Sequence, residues 1–242
     1  LKPRVSILYS PGTNCHHETA EAFRMAGAEP CITHLISGLI NGKARLTDCD
    51  MLALPGGFSF GDHLGAGKIF SLDLVARLKD QLLELRGKKI PVIGICNGFQ
   101  VLINTGLLPG TDAIGEPQAI LDRNASAAFE SRWITLSVEP AGCIWTAGIP
   151  LKELRMPVAH GEGRLFLAEN YSDRQTVFRY SGSRKPAPYP ENPNGSPEDR
   201  AGITDPTGRI LGLMPHPERA VLPWHGSEDG LWIFKAGVAQ VK

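Results

Sequence analysis

The sequence predicts an α/β protein: a mostly parallel open sheet with helices on both faces and a mixed or antiparallel extension in the second half. Three observations carry this expectation. Short apolar runs at residues 5–9, 51–54 and 90–96 read as buried strands, and each leads, directly or through a Gly-rich loop, into a segment of helical periodicity. Strand, helix and strand in that order imply a right-handed parallel crossover. After Gly106 the texture changes, and residues 132–138 and 176–180 alternate as half-buried strands do.

Taken in order, residues 5–9 give the first strand, followed by the turn Ser10-Pro-Gly-Thr-Asn14. Thr13 or Asn14 is placed to cap a helix whose stripe is Thr19, Ala22, Phe23 and Ala26 and which Gly27 ends. Met51-Leu-Ala-Leu54 is the second strand and runs into Pro55-Gly-Gly-Phe-Ser-Phe-Gly-Asp62. A Gly-Gly pair after a parallel strand lets backbone N–H groups face the crevice at the carboxyl ends of the strands, where open sheets bind ligands. From Ile69 the pattern is helical, with Val75, Leu78, Leu82 and Leu85 on one stripe and Gly87 closing it. Residues 90–96 then form a strand and residues 97–105 a helix. Residues 201–214 read as two strands joined by an Asp-Pro-Thr-Gly turn, and residues 185–200, with five prolines, as a surface loop. One domain over residues 1–242 accommodates all of this.

Composition narrows the function. With 42% apolar and 21% charged residues and 25 basic against 25 acidic side chains, the chain lacks the basic footprint of a nucleic-acid binder. No apolar run reaches the length of a membrane span. The five cysteines, Cys15, Cys31, Cys49, Cys96 and Cys143, include no Cys-x-x-Cys pair, which argues against a disulfide framework and a zinc knuckle. A reducing cytoplasm and no metal site are expected. The start at Leu1 reads as processed or trimmed.

Chemistry is concentrated at three places. In Gly94-Ile-Cys-Asn-Gly98 a cysteine sits at a strand-to-helix corner, where flanking glycines permit a sharp turn and the helix start favours thiolate over thiol. The Gly56-Gly57 loop is able to hold an oxyanion. In Met214-Pro-His-Pro-Glu218, Pro217 pushes His216 into an extended conformation, so that His216 and Glu218 should face one side and the carboxylate should orient the imidazole. His160, in Ala159-His-Gly-Glu-Gly163, is a second candidate base. Together these are the parts for thiol acyl transfer on a carbonyl substrate. On residues alone an amidase, a peptidase and a thioesterase remain equally open.

Gly94-Ile-Cys-Asn-Gly-Phe-Gln100 with Pro215-His-Pro-Glu218 resembles the class I, triad-type glutamine amidotransferases. Leu54-Pro-Gly-Gly-Phe-Ser-Phe-Gly-Asp62, Ala159-His-Gly-Glu-Gly-Arg164, Phe178-Arg-Tyr180 and Asn192-Pro-Asn-Gly-Ser196 further resemble the glutaminase subunits of phosphoribosylformylglycinamidine synthases. The resemblance spans the first strand to Arg219.

It implies Cys96 as nucleophile, His216 as base and Glu218 as its orienting acid. Backbone N–H groups of Asn97 and of Gly56 and Gly57 would hold the oxyanion, while Gln100 and the His160-Gly161 turn would help seat L-glutamine. Glutamine would be hydrolysed to glutamate and ammonia. No cofactor is expected on this chain, which has no recognisable nucleotide loop. ATP and Mg are expected on a partner synthetase subunit that converts formylglycinamide ribonucleotide to formylglycinamidine ribonucleotide, with a small third subunit as a possible bridge. His63, Asn14-Cys15 and the 185–200 loop are candidate contacts near an apolar docking face. A cysteine hydrolase on a related sheet, a silent regulatory subunit and a domain cut from a longer synthase are the other readings.

Overall fold

The computed structural model describes residues 1–110, 113–168 and 171–241. Its elements run β1 (Arg4–Tyr9), α1 (His16–Met25), β2 (Glu29–His34), β3 (Met51–Leu54), α2 (Lys68–Gly87), β4 (Val92–Ile95), α3 (Asn97–Thr105), β5 (Ala119–Arg123), β6 (Glu130–Val138), β7 (Glu153–His160), β8 (Glu162–Leu167), β9 (Thr176–Tyr180), β10 (Arg200–Thr204), β11 (Ile210–Leu213) and α4 (Gly230–Ala239). The main sheet has the order β2-β1-β3-β4-β11-β10-β9-β6-β7, and β5 pairs with β8 in a separate two-stranded ladder. From β2 to β11 neighbouring strands are parallel, and from β11 to β7 they are antiparallel. The expected architecture is therefore present, extension included.

The chain leaves β1 for β2 on one side and crosses from β3 to β4 on the other, so the strand order reverses between β1 and β3. Right-handed crossovers of opposite direction place α1 and α2 on opposite faces. Packing agrees: α1 lies against α4, and α2 against α3. Strands β3, β4 and β11 are buried throughout, which is why they read as continuous apolar runs and not as alternating ones. Phe23, Trp145 and Phe234 meet edge to face in the layer under α1 and α4.

Local details differ from the sequence reading. Neither Thr13 nor Asn14 caps α1; its N-cap is Cys15, with no side-chain cap bond. The Thr13 hydroxyl instead accepts the Ser10 N–H at 3.2 Å and closes the turn itself. The 185–200 segment has no regular structure before a 3₁₀ turn at Pro197–Asp199, but it is not simply a surface loop. Asn192, Asn194, Ser196 and Asp199 are buried, and the Asn194 amide donates to the Gly163 carbonyl at 2.7 Å and to the Tyr180 hydroxyl at 2.9 Å. β2, β5, β8 and α4 went unrecognised in the sequence. β2 is a partly exposed edge strand, and β5 pairs with β8 outside the main sheet, so neither carries the buried apolar run that marks a strand.

Candidate active site

β4 and β11 are parallel neighbours in the register Leu213↔Ile95, so the residues that follow each strand emerge side by side. The Cys96 N–H donates to the Leu213 carbonyl at 2.8 Å, the last rung of that ladder. This is how positions far apart in sequence meet. From the far edge of the sheet β7 comes back over the same ends, with the His216 N–H on the Pro157 carbonyl at 2.8 Å and the Cys96 Sγ 3.6 Å from the Ala159 carbonyl oxygen.

Cys96 occupies φ 51°, ψ −105°, a conformation that a side-chain-bearing residue holds only when its surroundings enforce it. The enforcement is visible in the flanking glycines. A Cβ on Gly98 would stand 1.9 Å from the Leu54 carbonyl oxygen, and one on Gly94 would stand 2.7 Å from the Gly98 carbonyl oxygen. The corner closes only without those side chains. Cys96 is nearly buried, at 5% exposure, directly before the first turn of α3.

His216 and Glu218 form a buried pair, with Nδ1 2.6 Å from Oε1. The two side chains meet as expected, but not by the expected geometry. Pro217–Arg219 is a 3₁₀ turn, and Glu218 meets the ring through that turn, not along an extended strand. Burial opposes a charge on His216, but Glu218, Cys96 and Cys15 outweigh it and raise its pKa well above that of an ordinary histidine. The other ring nitrogen, Nε2, makes no well-formed hydrogen bond among the described residues, and the two cysteine side chains are its neighbours.

His160 is a different kind of histidine. Burial is the main cause that lowers its pKa to about 3, with the charge of His216 adding to it. Its Nδ1 bonds the Asn124 Oδ1 at 3.0 Å, an oxygen that also accepts the Gly163 N–H at 3.1 Å. A ring so held stays neutral near pH 7 and shapes the turn, which makes it a poor proton carrier beside His216. Asn124, which also donates to the His160 carbonyl at 2.8 Å, had no signal in the sequence.

The remaining expected residues converge on the corner, some indirectly. Gly56 lies against His216, where an added Cβ would be 2.8 Å from Cε1. Gly57 has φ 141° and bridges to Thr13. Asn97 ties this loop to α3: its Oδ1 accepts the Ser59 N–H at 3.2 Å and its Nδ2 donates to the Asp62 Oδ1 at 2.9 Å and to the Gln100 Oε1 at 3.0 Å. Gln100 in turn donates to the Glu162 carbonyl at 2.6 Å, so its amide links α3 to the His160-Gly161 turn. Burial raises the pKa of Asp62, the nearby Glu162 adds to that, and the Gly67 N–H and Asn97 oppose it. The structure thus brings Cys96, His216, Glu218, Gly56, Gly57, Asn97, Gln100, His160 and Gly161 around one end of the sheet.

A second cysteine reaches the same place. The Cys15 Sγ, a His216 nitrogen and a Glu218 oxygen lie within 4.8 Å of one another, and the Arg219 guanidinium donates to the Cys15 sulfur at 3.0 Å.

The geometry has counterparts in known proteins. Residues 2–237 match the family described as the CobB/CobQ-like glutamine amidotransferase domain. The chain is 44% identical over 229 residues to the phosphoribosylformylglycinamidine synthase subunit PurQ of Methanococcus maripaludis, covering 90% of this chain and 83% of that one. It is 37% identical to the corresponding subunit of Pyrococcus horikoshii, covering 99% of both. Among solved structures it is similar to a chain of PurLQS from Thermotoga maritima, with a TM-score of 0.81, 32% identity and complete coverage of both chains.

Proposed function

The chain belongs to the CobB/CobQ-like glutamine amidotransferases, among the PurQ subunits of phosphoribosylformylglycinamidine synthase, and from that premise we propose that Cys96, His216 and Glu218 hydrolyse L-glutamine to glutamate and ammonia. The single observation that carries the assignment is the strained corner at Cys96 beside the buried His216–Glu218 pair.

In this reading the Cys96 sulfur attacks the side-chain amide carbon of glutamine. Its proton passes to His216, and Glu218 holds the ring and stabilises the charge that forms. The amide oxygen becomes an oxyanion facing the backbone N–H groups of Asn97 and of the Gly56-Gly57 loop. His216 then delivers the proton to the departing nitrogen, which leaves as ammonia while a γ-glutamyl thioester forms on Cys96. Water, deprotonated by His216, attacks the thioester carbonyl; glutamate leaves and the thiol is restored. Asn97 and Gln100 serve by fixing the oxyanion loop and the His160-Gly161 turn, and seat the substrate through those backbones.

Ammonia is passed to an ATP-dependent synthetase subunit, where ATP and Mg bind, and is used there to convert formylglycinamide ribonucleotide to formylglycinamidine ribonucleotide. An exposed apolar face beside the crevice supports docking of such a partner: Phe58 and Phe129 stack with centroids 6.4 Å apart, and Leu64 is 81% exposed. Asn14 and His63 are exposed nearby in sequence, whereas Cys15 is buried and belongs to the interior. No helix among the described residues is long and apolar enough to cross a membrane, in keeping with a cytoplasmic reaction.

The test is glutamate and ammonia release from glutamine by wild type and Cys96→Ala, with and without the synthetase subunit. Activity that requires Cys96 and increases with the partner is expected. Turnover that persists in Cys96→Ala overturns the assignment.

A further inference from the structure

Cys15 is placed where no spectator would be expected. It is 1% exposed, at the start of α1, and its sulfur accepts a hydrogen bond from the Arg219 Nη2 at 3.0 Å. Its thiol proton is committed to the Asn14 Oδ1 at 3.2 Å. Its backbone N–H donates to the Gly56 carbonyl at 3.2 Å, on the loop that faces His216. One residue therefore touches the oxyanion loop through its main chain and the surroundings of the base through its side chain.

Arg219 follows Glu218 directly, and the Glu218 Oε2 is buried without a hydrogen-bond partner among the described residues. A guanidinium next to a buried carboxylate pairs with it unless another acceptor holds it. The Cys15 sulfur accepts its hydrogen bond, and the charge of Glu18 on α1 draws the guanidinium to the same side. By retaining Arg219 the sulfur leaves the Glu218 carboxylate to His216.

We propose that Cys15 is a positioning residue for the glutaminase reaction, holding Arg219 away from Glu218 so that the His216–Glu218 pair keeps its geometry. The inference rests on the functional reading above. Burial raises the Cys15 pKa, so it stays a thiol, and its ordinary backbone (φ −98°, ψ 12°) contrasts with the strained corner of Cys96. The two cysteines at this histidine thus divide into a nucleophile and a support. A bound cation is disfavoured at the Cys15, His216 and Glu218 group because Arg219 already brings a positive charge to the sulfur.

The groups facing His216 are Glu218 from its own turn, Cys15 at the start of α1, Cys96 from the corner and His160 from β7, while Arg219 faces Cys15, Glu218 and, from α1, Glu18. Loss of the Cys15 sulfur removes its own contact with His216 and also turns Arg219 onto Glu218, so the imidazolium is favoured less on both counts. The pH at which Cys96 becomes reactive should rise accordingly.

The experiment uses Cys15→Ala, Cys15→Ser and Arg219→Gln in the full chain with its synthetase partner. It measures kcat and KM for glutamine against pH, and separately the pH midpoint of Cys96 alkylation by iodoacetamide. Cys15→Ala should lower kcat about tenfold with KM little changed and move the alkylation midpoint upward by about half a unit. Cys15→Ser, which keeps an acceptor, should restore kcat to within about threefold of wild type. In Arg219→Gln the competitor for Glu218 is absent, so adding Cys15→Ala should cost clearly less than it does in wild type, leaving only the direct contact with His216 to be lost. The proposal is overturned if Cys15→Ala leaves both kcat and the midpoint at wild-type values, if its effect is all in KM or melting temperature, or if the double variant shows the full additive loss. Failure of the glutaminase reading itself would register separately, as turnover that survives Cys96→Ala.

Discussion

The Nδ1 of His216 lies 2.6 Å from the Oε1 of Glu218, and both side chains are closed off from solvent. A carboxylate buried against an imidazole fixes the tautomer as well as the position of the ring, leaving the opposite nitrogen for the proton of a thiol. Glu218→Gln keeps the shape and loses that preference. Its kcat for glutamine hydrolysis should fall by about 10²- to 10⁴-fold while the fold persists, as judged by circular dichroism. A drop of less than about threefold would remove Glu218 from the machinery.

Gly56 is required by proximity to His216. An alanine there would put a methyl 2.8 Å from the His216 Cε1. The ring has to shift, so Gly56→Ala should reduce kcat at least about tenfold with a melting temperature within a few degrees of wild type. Wild-type turnover in this variant would show that the ring position is not critical.

Gly98 is required by the fold. Its Cβ would stand 1.9 Å from the Leu54 carbonyl oxygen, a main-chain atom held in the sheet. Gly98→Ala should therefore cost about 2 kcal/mol or more, read as a lowered urea midpoint or loss of soluble protein. Unchanged stability would mean that α3 and β3 can separate there without penalty.

His160 gives a pH dependence whose sign follows from its depressed pKa. The folded chain holds it neutral down to about pH 3, whereas an unfolded chain takes up the proton near 6.5. Its contribution to stability is thus fully present above about pH 6.5 and declines as the pH falls toward 3. Urea midpoints at pH 7 and pH 4.5 should separate less in His160→Gln than in wild type. Equal separations would place the acid sensitivity elsewhere.

Much of the site was legible as motifs because the reaction constrains short stretches of chain. A cysteine between two glycines at a strand-helix corner, and a histidine two residues from a glutamate, carry their chemistry locally. Support residues left no such mark. Asn124 reaches the His160 turn from the β5–β8 ladder, and Cys15 reaches Arg219 from the start of α1. A polar side chain that acts through a distant partner looks, in sequence, like any other asparagine or cysteine. The same limit applied to Asn192, Asn194 and Asp199, whose burial reverses what a proline-rich stretch suggests.

The sequence by itself determined the strand-and-helix course of β1, β3 and β4 with α1, α2 and α3, the corner at Cys96 and the residues expected to react, since apolar runs, helix periodicity and glycine placement are local properties of the chain. Tertiary structure alone decided that β4 and β11 are neighbours in a register that sets Cys96 beside His216, and that β7 returns over them from the far edge. It also decided that two cysteines share one histidine. Strand order and register are fixed by burying whole faces of the sheet against α1, α2, α3 and α4, a collective balance that no single stretch of residues encodes.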